Sequence, residues 1–260
     1  FLSRAKNLKI IALSRAGYEN VNIDLAKEKN IWVLNAPGRN KEAVADHAVT
    51  LFLSTRRRIP LLHAKIKDGK WETYYPDKDL KNMTAGIIGF GNIGKESAKL
   101  LKGLGLTVLI YDPYVKESDV KKVGYSYATF DELLSKSDVI FMRARVSDEN
   151  KHLINYEAFR KMIKKPILIN NARSLLIDTN ALIKALEEGL ISGAGLDVFD
   201  EEPLPVDSPL IKFDNVVLTP HTSNTIESLM YNGPAILAED IERILLGREP
   251  MFCVVKGNKL

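Results

Sequence analysis

Cysteine is nearly absent from this chain of 260 residues. The single Cys253 excludes an internal disulfide, and thiol use this sparse suits a reducing compartment, so a cytoplasmic location is expected. Long apolar runs are missing too. None approaches the roughly 18 residues that span a bilayer, and no signal-peptide pattern is visible, so no membrane partner is expected. Charge of one sign is not in excess: 37 Lys and Arg stand against 33 Asp and Glu, and the net +4 is spread along the chain with both signs interspersed. A nucleic-acid partner would need a concentrated basic face. The densest run, Arg56-Arg57-Arg58, reads as cations at a helix C-terminus, so no nucleic-acid partner is expected. Four histidines and one cysteine show no metal-ligand spacing, and no metal is expected. Repeats and low-complexity tracts are lacking as well.

What remains is ordinary globular material, long enough for one large or two medium domains. Short strands are expected at 9–13 and 31–34, a short helix at 24–30 with Asp24 as N-cap, and a long helix at 41–58, where Val44, Ala48, Leu51 and Phe52 fall at helical spacing. Residues 60–71 read as helix and 73–82 as a polar crossing; Trp71 and Tyr74-Tyr75, around their junction, are candidates to pack between domains. From Thr84 onward strands and helices alternate. Strands are expected at 85–89, 106–111, 138–142, 167–170, 193–196 and 216–218, and helices at 92–103, 130–136, 156–163, 178–189 and 225–246, before a short mixed tail. Such alternation yields a parallel sheet covered by helices on both faces.

The segment before residue 60 is too small for its own core. The expected fold class is therefore α/β: a Rossmann-type doubly wound parallel sheet at 59–231, plus a smaller substrate domain built from 1–58 and 232–260. The chain starts at Phe1 rather than Met, and this smaller domain is expected to be N-terminally incomplete.

The organising stretch is Thr84 to Lys95, a buried strand running into Gly89-x-Gly91-x-x-Gly94 and a helix. Gly89 permits the tight turn, Gly91 lets the backbone approach a pyrophosphate, and Gly94 lets the helix pack on the strand. The anion sits on free N–H groups of the helix N-terminus, supplied here by Asn92 and Ile93 with Gly94. A second apolar strand then ends at Asp112, about 20 residues past the turn, where a carboxylate receives the ribose hydroxyls. Dinucleotide binding is the reading this context supports.

Several spaced motifs extend it. They are Asn35-Ala36-Pro37 with Glu42 to His47; the glycine turn with Tyr111-Asp112-Pro113; Asn171-Ala172-Arg173; Leu196-Asp197-Val198-Phe199-Asp200-Glu201-Glu202-Pro203; and Leu218-Thr219-Pro220-His221. Together, over about Leu8 to Leu246, they resemble the NAD-dependent, D-isomer-specific 2-hydroxyacid dehydrogenase family. The resemblance implies a flavodoxin-like substrate domain, a cleft between the domains for the reaction, and a homodimer joined through the nucleotide domain. It implies hydride transfer between NAD(H) and a D-2-hydroxy acid or 2-keto acid. His221 is then the acid/base, a role imidazole suits because it titrates near neutrality. Glu202, the acid directly before Pro203, is its partner in preference to Glu201. Arg173 clamps the substrate carboxylate with its planar fork. Ala172 and Asp197 contact the cofactor, Asp197 through the nicotinamide carboxamide. Arg15, Ala16 and Gly17 belong to the substrate loop. Arg15 is larger than the usual residue there and either recognises a second acidic group or points to solvent.

Departures from the family pattern are Asn22 in place of Asp, Ser174-Leu175 in place of Gly-Gly, and Arg143-Ala144-Arg145 where a proline usually packs by the adenine. The two arginines could brush the adenosine and admit a 2′-phosphate, but the charge of Asp112 repels phosphate, so NAD is expected over NADP. His47 reads as a structural hydrogen-bonder inside its helix, and His63 and His152 as exposed. Within the family, a glycerate, hydroxypyruvate or phosphoglycerate enzyme is the alternative. Outside enzymes, it is an NAD-sensing corepressor-like protein.

Overall fold

Alternation along the central strands explains the main body. In β3 (Thr84–Ile88), Ala85 and Ile87 face one layer and Ile88 the other. In β6 (Val139–Met142), Val139 and Phe141 face the first layer, and Ile140 and Met142 the second. Ile167 and Ile169 of β7 (Ile167–Asn170) face the first, Leu168 the second. Successive side chains of a strand point to opposite faces, so a strand apolar on both sides must be covered on both sides. The computed structural model describes residues 2–73, 78–225, 227 and 229–258.

In order, the sheet is β5-β4-β3-β6-β7-β8-β9, with β4 at Thr107–Tyr111, β5 at Ser126–Tyr127, β8 at Gly193–Leu196 and β9 at Val216–Leu218. All six pairings are parallel. One face carries α2 (Lys41–Arg56) and α4 (Asn92–Gly103) through Ala48, Leu51, Phe52, Ala98 and Leu101. The other carries α6 (Phe130–Lys136), α7 (Tyr156–Arg160) and α8 (Thr179–Glu187) through Leu133, Leu134, Phe159, Leu182 and Leu186. The strand order reverses between β3 and β6, the switch point where open α/β sheets bind their ligands.

A second unit holds a three-stranded sheet of order β1-β2-β10, with β1 (Ile10–Leu13) parallel to β2 (Trp32–Asn35) and β10 (Cys253–Val255) antiparallel to it. Here too alternation sorts the faces. Val33 packs with Ala26 of α1 (Ile23–Glu28), while Trp32 and Leu34 pack with Leu237 and Ile244 of α9 (Leu229–Leu245). Buried Asp240 of α9 accepts the backbone N–H groups of Met251 and Phe252, which returns the chain to β10.

The units comprise Phe1–Lys41 with Asn224–Leu260, and Glu42–Ser223. These boundaries differ from the expected 58/59 and 231/232. Helix α2 goes with the nucleotide unit because β8 has glycines beneath it: a Cβ on Gly195 would stand 3.0 Å from Leu51 Cβ and 3.2 Å from Thr55 Oγ1. Other expectations change in detail. Asn22, not Asp24, caps α1, accepting the N–H of Leu25 at 3.0 Å. The segment expected as helix 60–71 is α3 (Ile59–Lys67), and α7 is five residues long. A short α5 (Glu117–Lys122), β5 and β10 were not anticipated. Arg56 lies in the last turn of α2, as expected of a cation at a helix C-terminus, and is buried there, donating to Lys78 O. Trp71 is exposed, and Tyr74 and Tyr75 lie outside the described residues.

Candidate active site

The glycine turn leaves β3 and opens α4 at the switch point. Gly89 has a φ of 101°, and a Cβ there would meet Ala144 N at 2.6 Å and Arg143 C at 2.7 Å. A Cβ on Gly94 would collide with Gly89 O, whereas one on Gly91 would meet nothing within 4 Å. Gly91 is therefore open towards solvent. It is also the N-cap of α4 and offers no side-chain cap, so the N–H groups at the start of the helix, at exposed Asn92 and half-buried Ile93, form a cradle for an anion. Asp112, just past β4, closes the turn: Oδ2 accepts the Phe90 N–H at 2.7 Å and Oδ1 the Tyr114 N–H at 2.9 Å.

Arg143 does not reach towards the cradle's outer face. It is buried beneath the turn, where Nε donates to Ser97 Oγ at 3.1 Å and Nη1 donates to Met142 O at 2.8 Å and to Asn171 Oδ1. The expected pair of arginines at the adenosine thus reduces to Arg145, which is exposed. The reason is steric: the close approach of Gly89 seats the 143–144 backbone under the turn and directs the Arg143 side chain inward.

Two asparagines missed as functional residues hold the loop after β7. Asn170 accepts the Ala172 N–H at 3.1 Å and donates to Arg173 O at 2.9 Å. Asn171 donates to Val44 O and to Ser223 Oγ, both at 2.9 Å. Both are buried polar groups at a strand's end, which a sequence shows only as part of a motif. They leave Ala172 half-buried and Arg173 exposed, with Arg173 Nη1 donating to Ala172 O at 2.7 Å.

Asp197, wholly buried just after β8, braces the turn that carries His221. Its Oδ1 accepts from Thr219 Oγ1 at 2.6 Å and from the Thr222 N–H at 2.8 Å, and its Oδ2 from the Ser223 N–H at 2.9 Å and Ser223 Oγ. Burial alone would raise this carboxyl's pKa; the donors from Ser223, Thr219 and Thr222 outweigh it and hold the group below the usual range. The bonds clamp both sides of His221, whose φ of 53° is left-handed and uncommon for a residue with a Cβ. His47 Nε2 lies 3.0 Å from Thr219 Oγ1 and 3.6 Å from Asp197 Oδ1, a structural contact within the same brace. His63 and His152 are exposed.

His221 Nδ1 lies 2.8 Å from Glu202 Oε2. A carboxylate only accepts, so Nδ1 carries the proton and Nε2 is left for other chemistry. Glu202 Oε1 accepts the Phe199 N–H at 3.1 Å, which orients the carboxylate. The bond from His221 is the main cause of a Glu202 pKa below the ordinary carboxylate value. A cavity of about 280 Å³ is lined by Arg173, Glu202 and His221, with Val198 and Phe199. A larger neighbour of about 360 Å³ takes Glu201 but none of Arg173, Glu202 and His221, so the site chemistry belongs to the smaller one. The two adjacent acids are thereby separated: Glu202 meets the histidine and Glu201 does not.

In the other unit, Arg15 turns back on its own loop. Nε donates to Gly17 O at 3.1 Å, Nη2 to Asn20 Oδ1 at 2.7 Å, and Glu19 lies 3.7 Å away. Asn35 Nδ2 donates to Ala16 O at 2.6 Å and holds the loop to the end of β2. Among the described residues no group of three His, Cys, Asp or Glu is placed to hold a metal ion, and no helix is long and apolar enough to cross a membrane.

Residues 49–223 match the family model described as D-isomer specific 2-hydroxyacid dehydrogenase, NAD binding domain. The D-3-phosphoglycerate dehydrogenase of Archaeoglobus fulgidus is 40% identical over 247 residues; these are 95% of this chain but only 47% of the relative, so the chain spans about half its length. The glyoxylate reductase of Korarchaeum cryptofilum is 36% identical over 251 residues, 95% of this chain and 76% of the relative. Among solved structures, D-lactate dehydrogenase with NAD+ from Lactobacillus jensenii has a TM-score of 0.86 at 30% identity, covering 97% of this chain and 81% of that one. The cradle suits that cofactor: Gly91 leaves room for the diphosphate, and α4 presents uncapped N–H groups. The chain belongs to the D-isomer specific 2-hydroxyacid dehydrogenase family, and its cofactor is NAD.

Proposed function

We propose that the chain is an NAD-dependent dehydrogenase interconverting a small 2-keto acid and its D-2-hydroxy acid. One observation carries the reading: the Glu202–His221 pair, bonded at 2.8 Å, lines the same cavity as Arg173. NAD supplies the hydride exchange at the substrate carbon. The rest falls to side chains. His221 gives a proton from Nε2 to the substrate oxygen in reduction and takes it back in oxidation. Glu202 fixes the ring's orientation and stabilises the imidazolium, and the Arg173 fork holds the carboxylate. Asp197 keeps His221 in place; contact with the nicotinamide carboxamide, which the family resemblance implies, requires it to exchange one of its present donors. The family resemblance assigns Ala172 to the cofactor site and the Ala16 and Gly17 N–H groups to the substrate carboxylate.

Substrate size is read from Arg15. Its guanidinium is engaged by Asn20, Gly17 and Glu19, which favours a small keto acid such as glyoxylate or hydroxypyruvate over a phosphorylated one. The phosphoglycerate reading is supported instead by the name of the Archaeoglobus relative. The test is NADH oxidation with glyoxylate, hydroxypyruvate, pyruvate and phosphohydroxypyruvate, beside His221→Ala. Turnover is expected on the small acids, and the variant should lose about 10²- to 10⁴-fold in kcat. NADH binding without turnover on any 2-keto acid would remove the enzyme reading and favour the NAD-sensing one. Preference for phosphohydroxypyruvate would overturn the reading of Arg15 and favour the phosphoglycerate one.

A further inference from the structure

We propose that Arg143 is a buried electrostatic determinant of cofactor binding, its charge acting through the glycine turn on the diphosphate of NAD. Arg143 directly follows β6, one of the two strands that flank the switch point. Its backbone lies 2.7 Å from where a Cβ of Gly89 would stand, and its own Cβ 3.7 Å from where a Cβ of Gly94 would. The residue therefore floors the turn. Its Nε bonds Ser97 Oγ, so the guanidinium underlies the first two turns of α4.

The bonding of this group is incomplete. Its acceptors, Ser97 Oγ, Met142 O and Asn171 Oδ1, are all neutral. Nη2 is buried and has no hydrogen-bond partner among the described residues. No carboxylate forms an ion pair with Arg143 among them, and the acid at the turn, Asp112, gives its oxygens to the Phe90 and Tyr114 N–H groups. A buried cation without an anion is costly. Burial also pushes the guanidinium's pKa down to about 9, and a compensating contact of another kind is the Phe141 ring, whose centroid lies 5.5 Å from the central carbon. The N-terminus of α4 adds positive potential at the same place. Both fields are offset when a dianion occupies the cradle above them. Because the charge is buried, salt screens it little.

A purely structural role, bracing Asn171 and Ser97, would weaken every ligand alike. The proposal instead singles out ligands that carry the diphosphate. It rests on NAD binding and not on turnover, so it stands apart from the dehydrogenase reading. Dissociation constants for NADH, ADP-ribose and adenosine are measured by calorimetry on the wild-type chain, Arg143→Gln and Arg143→Lys, at low and high salt. Gln is expected to weaken NADH and ADP-ribose by about tenfold or more, with adenosine held within about twofold and the ratio to wild type unchanged by salt. Lys, which keeps the charge, is expected to stay within about threefold for all three ligands. Equal losses for ADP-ribose and adenosine, unchanged NADH affinity in folded Arg143→Gln, or a ratio that collapses at high salt would each overturn the proposal. Arg143→Met replaces Gln where Gln does not fold. If neither neutral variant folds while Lys does, the charge serves the fold itself and the proposal fails.

Discussion

Three glycines in one turn have three different surroundings, and single substitutions separate their roles. At Gly94 a Cβ would strike the backbone oxygen of Gly89, which cannot move without opening the strand-to-helix turn. At Gly91 a Cβ meets no protein atom within 4 Å, yet stands where a diphosphate must come close. Gly94→Ala is expected to destabilise the chain by about 1–3 kcal/mol in urea unfolding. Gly91→Ala is expected to melt with the wild-type chain while binding NADH about tenfold or more weakly. Equal thermal losses in both would mean that Gly91 serves the turn and not the ligand. The same contrast separates Glu201 from Glu202: adjacent in sequence, only one reaches His221.

Among the elements, the start of β6 offers a clean electrostatic test. Buried Asp138 accepts Lys78 Nζ at 2.8 Å and Lys164 Nζ at 3.2 Å, and its Oδ2 takes the Thr84 N–H at 2.8 Å, joining the feet of β3 and β6. Burial alone would raise its pKa, but the bonds from Lys78, Thr84 and Lys164 hold it below the ordinary value. A depressed folded pKa stabilises the fold fully above the unfolded pKa, and the contribution is lost as pH falls through the folded one. Asp138→Asn should therefore cost about 2 kcal/mol at neutral pH, and the gap to wild type should narrow at acid pH, as the carboxyl takes up its proton. Urea unfolding at the two pH values measures it; a gap independent of pH would show that shape and not charge matters here. Elements absent from the sequence reading share a cause. α5 buries only Val120, β5 has two residues and β10 three, so none displays a full period of apolar residues.

At the scale of the whole molecule, α3 stands out. It carries Ile59, Leu61, Leu62 and Ile66, yet none of its residues is buried, and Trp71 just beyond it is 87% exposed. Apolar side chains grouped in this way favour association. A homodimer is expected, with α3 in its interface. Sedimentation should give twice the chain mass for wild type and a shift towards monomer for Ile66→Glu. A wild-type monomer at micromolar concentration would rule the association out.

Much of the fold was legible in the sequence because its signals are local. Apolar strands at regular intervals, and the Gly89–Gly94 spacing followed by a strand ending at Asp112, are properties of short stretches. Arg173, Glu202 and His221 were legible as members of motifs, each near a strand's end. Long-range packing was not. That α2 belongs with the nucleotide unit depends on Leu51 and Thr55 lying over Gly195, residues distant in the chain. That Asp197 gathers Thr219, Thr222 and Ser223 around His221 depends on β8 and β9 being neighbours. Arg143 shows the division best. The sequence determined that a cation follows β6, and its place in the motif suggested contact with the adenosine. Only the tertiary structure decided that it is buried, because the close passage of Gly89 turns its side chain under the helix rather than out to solvent.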